Sequence, residues 1–456
     1  MHACHPATPV KVLHTNASTQ RTRSHMSTPA LNDWTKADYR RSGFTADGQQ
    51  TPELRQAAGK PQLTPSPGLA AWLYTSGGSL AFSTYQTGRL FFLGSHADAS
   101  LYVQERVVGT AMGLAIDHDK LWVGSREQIW RFSNTGADTI NGQACDAIYM
   151  PRKGYLVGNS NTHDVLADVT FQGKHYDFLY ANTQFSCVAA PDEHYTFAPV
   201  WVPNFISVLA PEDRCHLNGI SAVDGELAYA TICGRFDTKL GWKGVKSHGG
   251  FVVDVRTNDV VCEGLSMPHS PRWHDGKLWL INSGEAQLGY VDFAAKCFVP
   301  VVLCQGFARG IAFVSVDQTD YAVVALSRLR PDKNGLVGQI NLADRLESQG
   351  FYQRCGLLVF NLATGKLAHW LTIEGQVTEL YDVVAVPGIR KPYTPGFREP
   401  EQHQWRMQLP PGPWQTDPKP PPEFEGWRPR KPAAKQPNLP PMKPAPQPID
   451  LLHTRP

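Results

Sequence analysis

Charge imbalance is missing from this chain. Its 43 Lys and Arg face 41 Asp and Glu, a formal net charge of +2 over 456 residues. No sequence-wide field therefore draws it to nucleic acid or to an anionic membrane, and neither is expected as a partner. Long apolar runs are missing too. None approaches the roughly 18 residues that would span a bilayer. The opening MHACHPATPVKVLHTNASTQRTRSHM lacks the apolar stretch of a secretory signal; Met26 is an alternative start, and the localisation expected is cytoplasmic. A disulfide framework is missing as well. The nine cysteines are odd in number, scattered, and nowhere arranged as C-x-x-C, which points to reduced thiols. Familiar catalytic signatures are equally absent. The chain has no G-x-S-x-G, Walker A loop, strand-borne G-x-G-x-x-G or H-E-x-x-H.

What is present is strand after strand. Residues 1–66 are polar and poorly periodic, apart from a short helical stretch around TPELRQAAG, and read as a flexible N-terminal segment. From 391 to 456 prolines crowd together, as in LPPGPWQTDPKPPPEFEGWRPRKP. Such a tail samples extended polyproline conformations and suits either docking through Trp405, Trp414 and Trp427 or a Pro-binding protein partner. Between them, over 67–390, short runs of Val, Ile, Leu, Tyr and Trp alternate with Asp-Gly and Ala-Thr-Gly turns. Clear cases are GISAVDGELAYAT and RWHDGKLWLINSG. A helix is expected only at QINLADRLESQG.

The hairpins recur. Their heads fall near Met112, Asp164, Asn218, His269, Arg309 and Asp382, each opening a four-strand unit with a period on the order of 40–50 residues. This predicts an all-β, six-bladed β-propeller. One blade is split: ELYDVVAVPG supplies its inner strand, and SLAFSTYQTGRLFFLG with LYVQERVVG its outer ones. Closing the ring this way removes exposed sheet edges. Seven blades remain open, because 134–162 and 188–214 are long enough to hide further strands. Trp122, Trp130, Trp273 and Trp279 are expected to pack between blades.

In a propeller every inner strand starts at one rim of the central channel, so residues at those starts converge. Here they are His163 and Asp164, His216 and Asn218, His269 and Ser270, Arg309, then Glu379, Tyr381 and Asp382; only Met112 is apolar. The three histidines are spaced 53 residues apart. Three imidazoles with a carboxylate suit one divalent metal, held by His163, His216 and His269: zinc, iron, manganese or copper. The same side chains serve equally as bonds between blades, with Arg309 and Glu379 paired. As an enzyme, a metal-dependent lyase, hydrolase or cyclase, the chain would use His216, His269, Arg309, Glu379 and Asp382 in catalysis. Asp164, Asn218, Arg272, Arg328 and Tyr381 would contact a small-molecule or peptide ligand. The competing readings are a propeller that binds a peptide or sugar without chemistry and a plain scaffold. Enlarged loops at 234–249 and 328–354 are expected on the same rim, with 192–214 as the blade connector joining them. Arg328, Arg330, Lys243, Lys246 and His248 would make that rim locally basic and suited to an anion.

The segments NTQFSCVA, FISVLAPEDRCHLNGISAVDG, GLSMPHSPRWHDGKLWLINSG, FARGIAF and ELYDVVAVPG closely resemble a bacterial family built on a domain of unknown function, some of whose members adjoin tetratricopeptide repeats. The resemblance spans roughly 67–390. It implies a propeller and puts weight on His163, Asp164, Cys187, Arg214, His216, Asn218, His269, Ser270, Arg272, Arg309, Glu379 and Asp382. More distantly, the hairpins resemble six-bladed calcium-dependent propellers of the gluconolactonase, paraoxonase and strictosidine-synthase kind. Those hold their metal through carboxylates and asparagines, which would imply calcium. Histidines at the strand heads depart from that pattern and point to a softer ion or none.

Overall fold

The computed structural model describes residues 61–329, 340, 342–351 and 353–397. The expected helix at TPELRQAAG and almost all of the proline-rich tail lie outside them. The fold is a β-propeller. Six four-stranded antiparallel meanders account for nearly all the strands. The first joins Val383–Val386 to Ser79–Thr84, Arg89–Ser95 and Leu101–Val107, so the split sheet forms as expected. The second runs Leu114–Asp117, Lys120–Gly124, Gln128–Asn134 and Ala147–Leu156. Thr162–Phe171, Lys174–Asn182, Cys187–Ala190 and Ala198–Trp201 form the third. Leu217–Val223, Glu226–Ile232, Gly250–Asp254 and Asp259–Leu265 form the fourth. The fifth comprises Pro268–His274, Lys277–Asn282, Gln287–Asp292 and Cys297–Leu303. The sixth comprises Phe307–Val316, Thr319–Ser327, Gly356–Asn361 and Leu367–Glu374. The stretches 134–162 and 188–214 do hide strands, and these complete the second and third meanders. Residues 198–201, expected within a connector, are the third meander's outer strand.

The middle strands are buried on both faces, and for that reason they read as unbroken apolar runs. In Arg89–Ser95, Phe91 and Leu93 face a core shared with the sixth sheet, while Leu90 and Phe92 face one shared with the second. Successive sheets are joined by such clusters all the way round. Trp122 and Phe178 belong to the second-to-third core, Leu179 and Ile220 to the third-to-fourth, Val252 and Leu280 to the fourth-to-fifth, Ile281 and Val324 to the fifth-to-sixth. Burial of apolar surface between sheets thus closes the cycle.

The propeller also recruits residues beyond its expected limits. Gln62–Pro65 adds a strand to the sixth sheet, and Pro392–Tyr393 pairs parallel with the second. A helix, Leu69–Ser76, buries Leu69, Trp72 and Leu73 against the core between sixth and first sheets. The other expected helix is present as Leu342–Ser348. Among the described residues no helix is long and apolar enough to cross a membrane.

Turns between first and second strands are tight. Asp224-Gly225 and Asp275-Gly276 have φ of 50° and 78°, and 46° and 69°, the left-handed pair that a type I′ hairpin needs. Around the channel, inner strands touch backbone to backbone. A Cβ on Gly113 would sit 2.7 Å from Asp164 Cα, and one on Gly310 2.7 Å from Asp382 Cα. Only glycine permits that approach.

Candidate functional site at the channel mouth

Four of the six inner strands carry a register irregularity at their heads. The breaks fall between Thr162 and Val165, Leu217 and Gly219, His269 and Arg272, and Ala308 and Ile311. A bulge re-aims side chains that a regular pleat would send to alternate faces. The residues inside these bulges are His163 and Asp164, Asn218, Ser270 and Pro271, and Arg309 and Gly310. His216, just before the fourth strand, and Ser270, inside the fifth strand's bulge, hold φ of 53° and 46°, a backbone state that costs non-glycine residues on the order of 1 kcal/mol or more.

The three histidines do converge. The rings of His163 and His216 lie 4.8 Å apart, crossed at 80°. His269 is close enough that both of them and Arg309 lower its proton affinity. Each imidazole is anchored through Nδ1. In His163, Nδ1 lies 2.7 Å from the Asn161 carbonyl and 2.9 Å from Thr183 Oγ1. In His269 it lies 2.9 Å from the Met267 carbonyl and 2.8 Å from Ser283 Oγ. In His216 it lies 3.0 Å from both oxygens of Asp213. A carbonyl can only accept, so Nδ1 carries the proton in His163 and His269 and Nε2 keeps its lone pair. Burial, helped by His216 and Arg309, holds His163 well below the usual imidazole range. Burial and then Arg309 do the same to His269. Both are neutral at pH 7. Over His216 the enlarged loop folds back, and Trp242 stacks on the imidazole at 4.0 Å and 24°.

Next to this group sits Arg309, boxed by Phe307, Tyr85 and Tyr381 at 4.7, 5.5 and 5.8 Å. Its Nη1 donates to Ser327 Oγ at 2.7 Å and lies 3.6 Å from Glu379 Oε2. Tyr85 donates its phenol proton to the same Glu379 oxygen. The phenol of Tyr381 is buried with no hydrogen-bond partner among the described residues, and its ring lies 5.6 Å from His163.

Three expected site residues have another role. Arg272 forks onto Asp164 at 2.8 and 3.0 Å and reaches Asp382 at 3.4 Å. Asp164 also accepts the amides of Val165 and Ile220, each at 3.0 Å, and Asp382 those of Leu114 and Val383, each at 2.9 Å. Each carboxylate therefore ties its own strand to the next sheet while Arg272 spans both. Asp164 and Arg272, expected to contact substrate, and Asp382, expected in catalysis, are thus held together in one rivet. Asn218 acts similarly, donating to the Pro268 carbonyl at 2.7 Å, although its Oδ1 has no partner among the described residues. Burial pushes the Asp382 carboxyl up to about 7 against the pull of Arg272.

The basic rim is largely not a rim. Arg328 lies near Glu374, and burial pulls its proton affinity down. Lys246 is buried over the Trp242 ring at 5.3 Å, and Arg330 lies outside the described residues. Cys187 is a buried thiol pushed up to about 12, and Arg214 braces the connector through Glu212 at 2.9 Å and Asp237 at 2.7 Å.

A metal was expected on the three histidines. Their donor chemistry suits one, since ligating imidazoles almost always give their other nitrogen to a carbonyl or carboxylate. Their spacing does not. Among the described residues one group of three has ligand atoms all within 4.8 Å, namely Asp117, His118 and Asp168, and the histidine triad is not such a group. That acidic group lies at an exposed hairpin turn on the opposite rim, where Lys120 already holds Asp117 at 2.9 Å and His175 holds Asp168 at 2.8 Å.

Asp213, Trp242, Tyr85, Thr183, Ser283 and Ser327 were not expected at the mouth. Three of them carry a legible signal. Thr183, Ser283 and Ser327 each stand at or just after the end of a second strand and bond the residue at the head of the first: His163, His269 and Arg309.

No curated protein matches the chain. Among solved structures it is similar to a chain of the nidogen/laminin complex, at 11% identity and a TM-score of 0.41, covering 68% of this chain and 99% of that one. It is also similar to the calcium-binding protein regucalcin from Agrobacterium tumefaciens str. C58, at 14% identity and a TM-score of 0.33, covering 67% and 93%. Residues 67–394 match the family described as Domain of unknown function (DUF4915), and the chain belongs to that family.

Proposed function

We propose that this member of the DUF4915 family is an enzyme, a hydrolase or lyase in reaction class, acting on a small molecule at the channel mouth of a six-bladed ring. The observation that carries this reading is the common anchoring of three converging imidazoles through Nδ1, which leaves Nε2 of each outside those anchoring bonds. A structural histidine is usually satisfied at both nitrogens; these are held rigid at one.

His216 is the general base. It alone is backed by a carboxylate, so Asp213 fixes its tautomer and stabilises the imidazolium formed when Nε2 takes a proton from water or from substrate. Trp242 shields that ring from bulk water. His163 and His269, neutral through burial, accept hydrogen bonds from substrate without competing for the proton.

A second reading keeps the divalent ion. It is favoured by the Nδ1 pattern and opposed by the spacing, so an ion would engage a subset of the histidines. A non-catalytic ligand-binding propeller is the remaining alternative. The test assays purified protein and His216→Asn against esters, amides, phosphoesters and glycosides, with metal analysis of the same preparation. Turnover lost in His216→Asn supports the reading. Stoichiometric metal whose removal abolishes turnover shifts it to the metal reading. Ligand-induced stabilisation without turnover of any compound replaces it with the binding reading.

A further inference from the structure

Arg272 and Arg309 are both largely buried at the channel, with 17% and 14% of the side chain exposed, yet only one is fully compensated. Arg272 faces two carboxylates. Arg309 meets one, Glu379, with Nη1 3.6 Å from an oxygen that already accepts from Tyr85. Nη1 also serves Ser327 and the Leu380 carbonyl. The other fork of the guanidinium, Nε and Nη2, makes no hydrogen bond among the described residues. Phe307, Tyr85 and Tyr381 hold its plane, so this fork is preorganised. The Tyr381 ring lies 5.8 Å from the guanidinium carbon, and its phenol is a second unspent donor, the residue being 6% exposed and the hydroxyl without a partner among the described residues.

A planar guanidinium fork matches a carboxylate or phosphate in bidentate fashion, and a desolvated one gains most from such a partner. Resting on the reading of the mouth as the ligand site, we propose that Arg309 and Tyr381 form an oxyanion subsite, so the ligand carries a carboxylate or phosphate group. The anion is then gripped inside the mouth rather than by Lys243 of the enlarged loop. It also places that group beside His163, whose ring touches Tyr381, and leaves the rest of the molecule over the imidazole Nε2 atoms.

The experiment titrates the full chain with inorganic phosphate and, separately, with acetate at constant ionic strength, by calorimetry and melting temperature. Saturable binding of phosphate alone assigns a phosphoryl group, and of acetate alone a carboxylate. Arg309→Gln is expected to weaken binding about tenfold or more, as for a hydrogen bond to a charged group, and Tyr381→Phe several-fold. Lys243→Gln should leave it unchanged. Should Arg309→Gln not fold, Arg309→Lys, which keeps charge but loses the fork, and Tyr381→Phe decide the matter. No saturable binding of either anion, or equal binding by folded Arg309 variants, overturns the subsite. Its fate is separable from that of the enzyme reading. Anion binding without turnover keeps the subsite and removes the enzyme; turnover without anion binding does the reverse.

Discussion

Replacing Arg272 with methionine tests the rivet at the channel directly. The substitution keeps most of the side chain's stem but strands Asp164 and Asp382, each 2% exposed, without their cation. Removing one partner of a buried ion pair typically costs about 3–5 kcal/mol, because the remaining charge stays desolvated. Backbone amides still reach both carboxylates, so the lower half of that range, about 3 kcal/mol, is expected at pH 8. Wild-type Asp382 already has its folded pKa raised, to about 7, above the unfolded value. A raised carboxylate contributes stability that is present at acid pH and is lost as pH rises through the folded value. Deleting Arg272 raises that value further, so the deficit should be largest at pH 8 and at least about 1 kcal/mol smaller at pH 5. Urea denaturation at both pH values, at low and high salt, measures it, and a buried cluster should respond little to salt. A deficit below about 1 kcal/mol at pH 8, or one equal at both pH values, would refute the argument.

Glu374 supplies a second pH probe: burial lifts it to about 7 although Arg328 and Arg354 pull it down, so Glu374→Gln should flatten the loss of stability as pH rises towards 7. His163 and His269 have folded values depressed below 6.5. Their contribution is present above pH 6.5 and lost as pH falls, and long-range nitrogen NMR should show Nδ1-protonated neutral rings at pH 6; a charged ring there contradicts the burial. Gly113→Ala and Gly310→Ala should each cost about 1–3 kcal/mol by overpacking, because the added carbon meets backbone rather than a flexible side chain. Wild-type melting temperatures in either variant would mean the inner strands are not so closely drawn.

Much of the architecture was legible in the chain. Alternating apolar runs, Asp-Gly turns and a repeat near fifty residues fix short antiparallel strands in fours, and those properties are local. The pairing of Val383–Val386 with Ser79–Thr84 was legible for a simple reason: each end of the repeat lacks what the other supplies. Convergence of His163, His216 and His269 followed from the same repeat, since strand heads in a ring share one rim.

What each converging side chain does was decided by tertiary structure alone. Asp164 sits next to His163 in sequence, yet one is riveted to Arg272 and the other is held by Thr183. The bulges put both at the channel, and only contacts from other sheets separate their roles. Asp213 and Trp242 come from the connector and loop flanking the fourth inner strand. No periodicity governs such segments, so nothing in the sequence marked them as partners of His216. The spacing of the three imidazoles belongs to the same class. Sequence set which residues would meet, but the separation across the mouth depends on how tightly inner strands pack through Gly113 and Gly310. That is a sum over six interfaces rather than a property of any one segment.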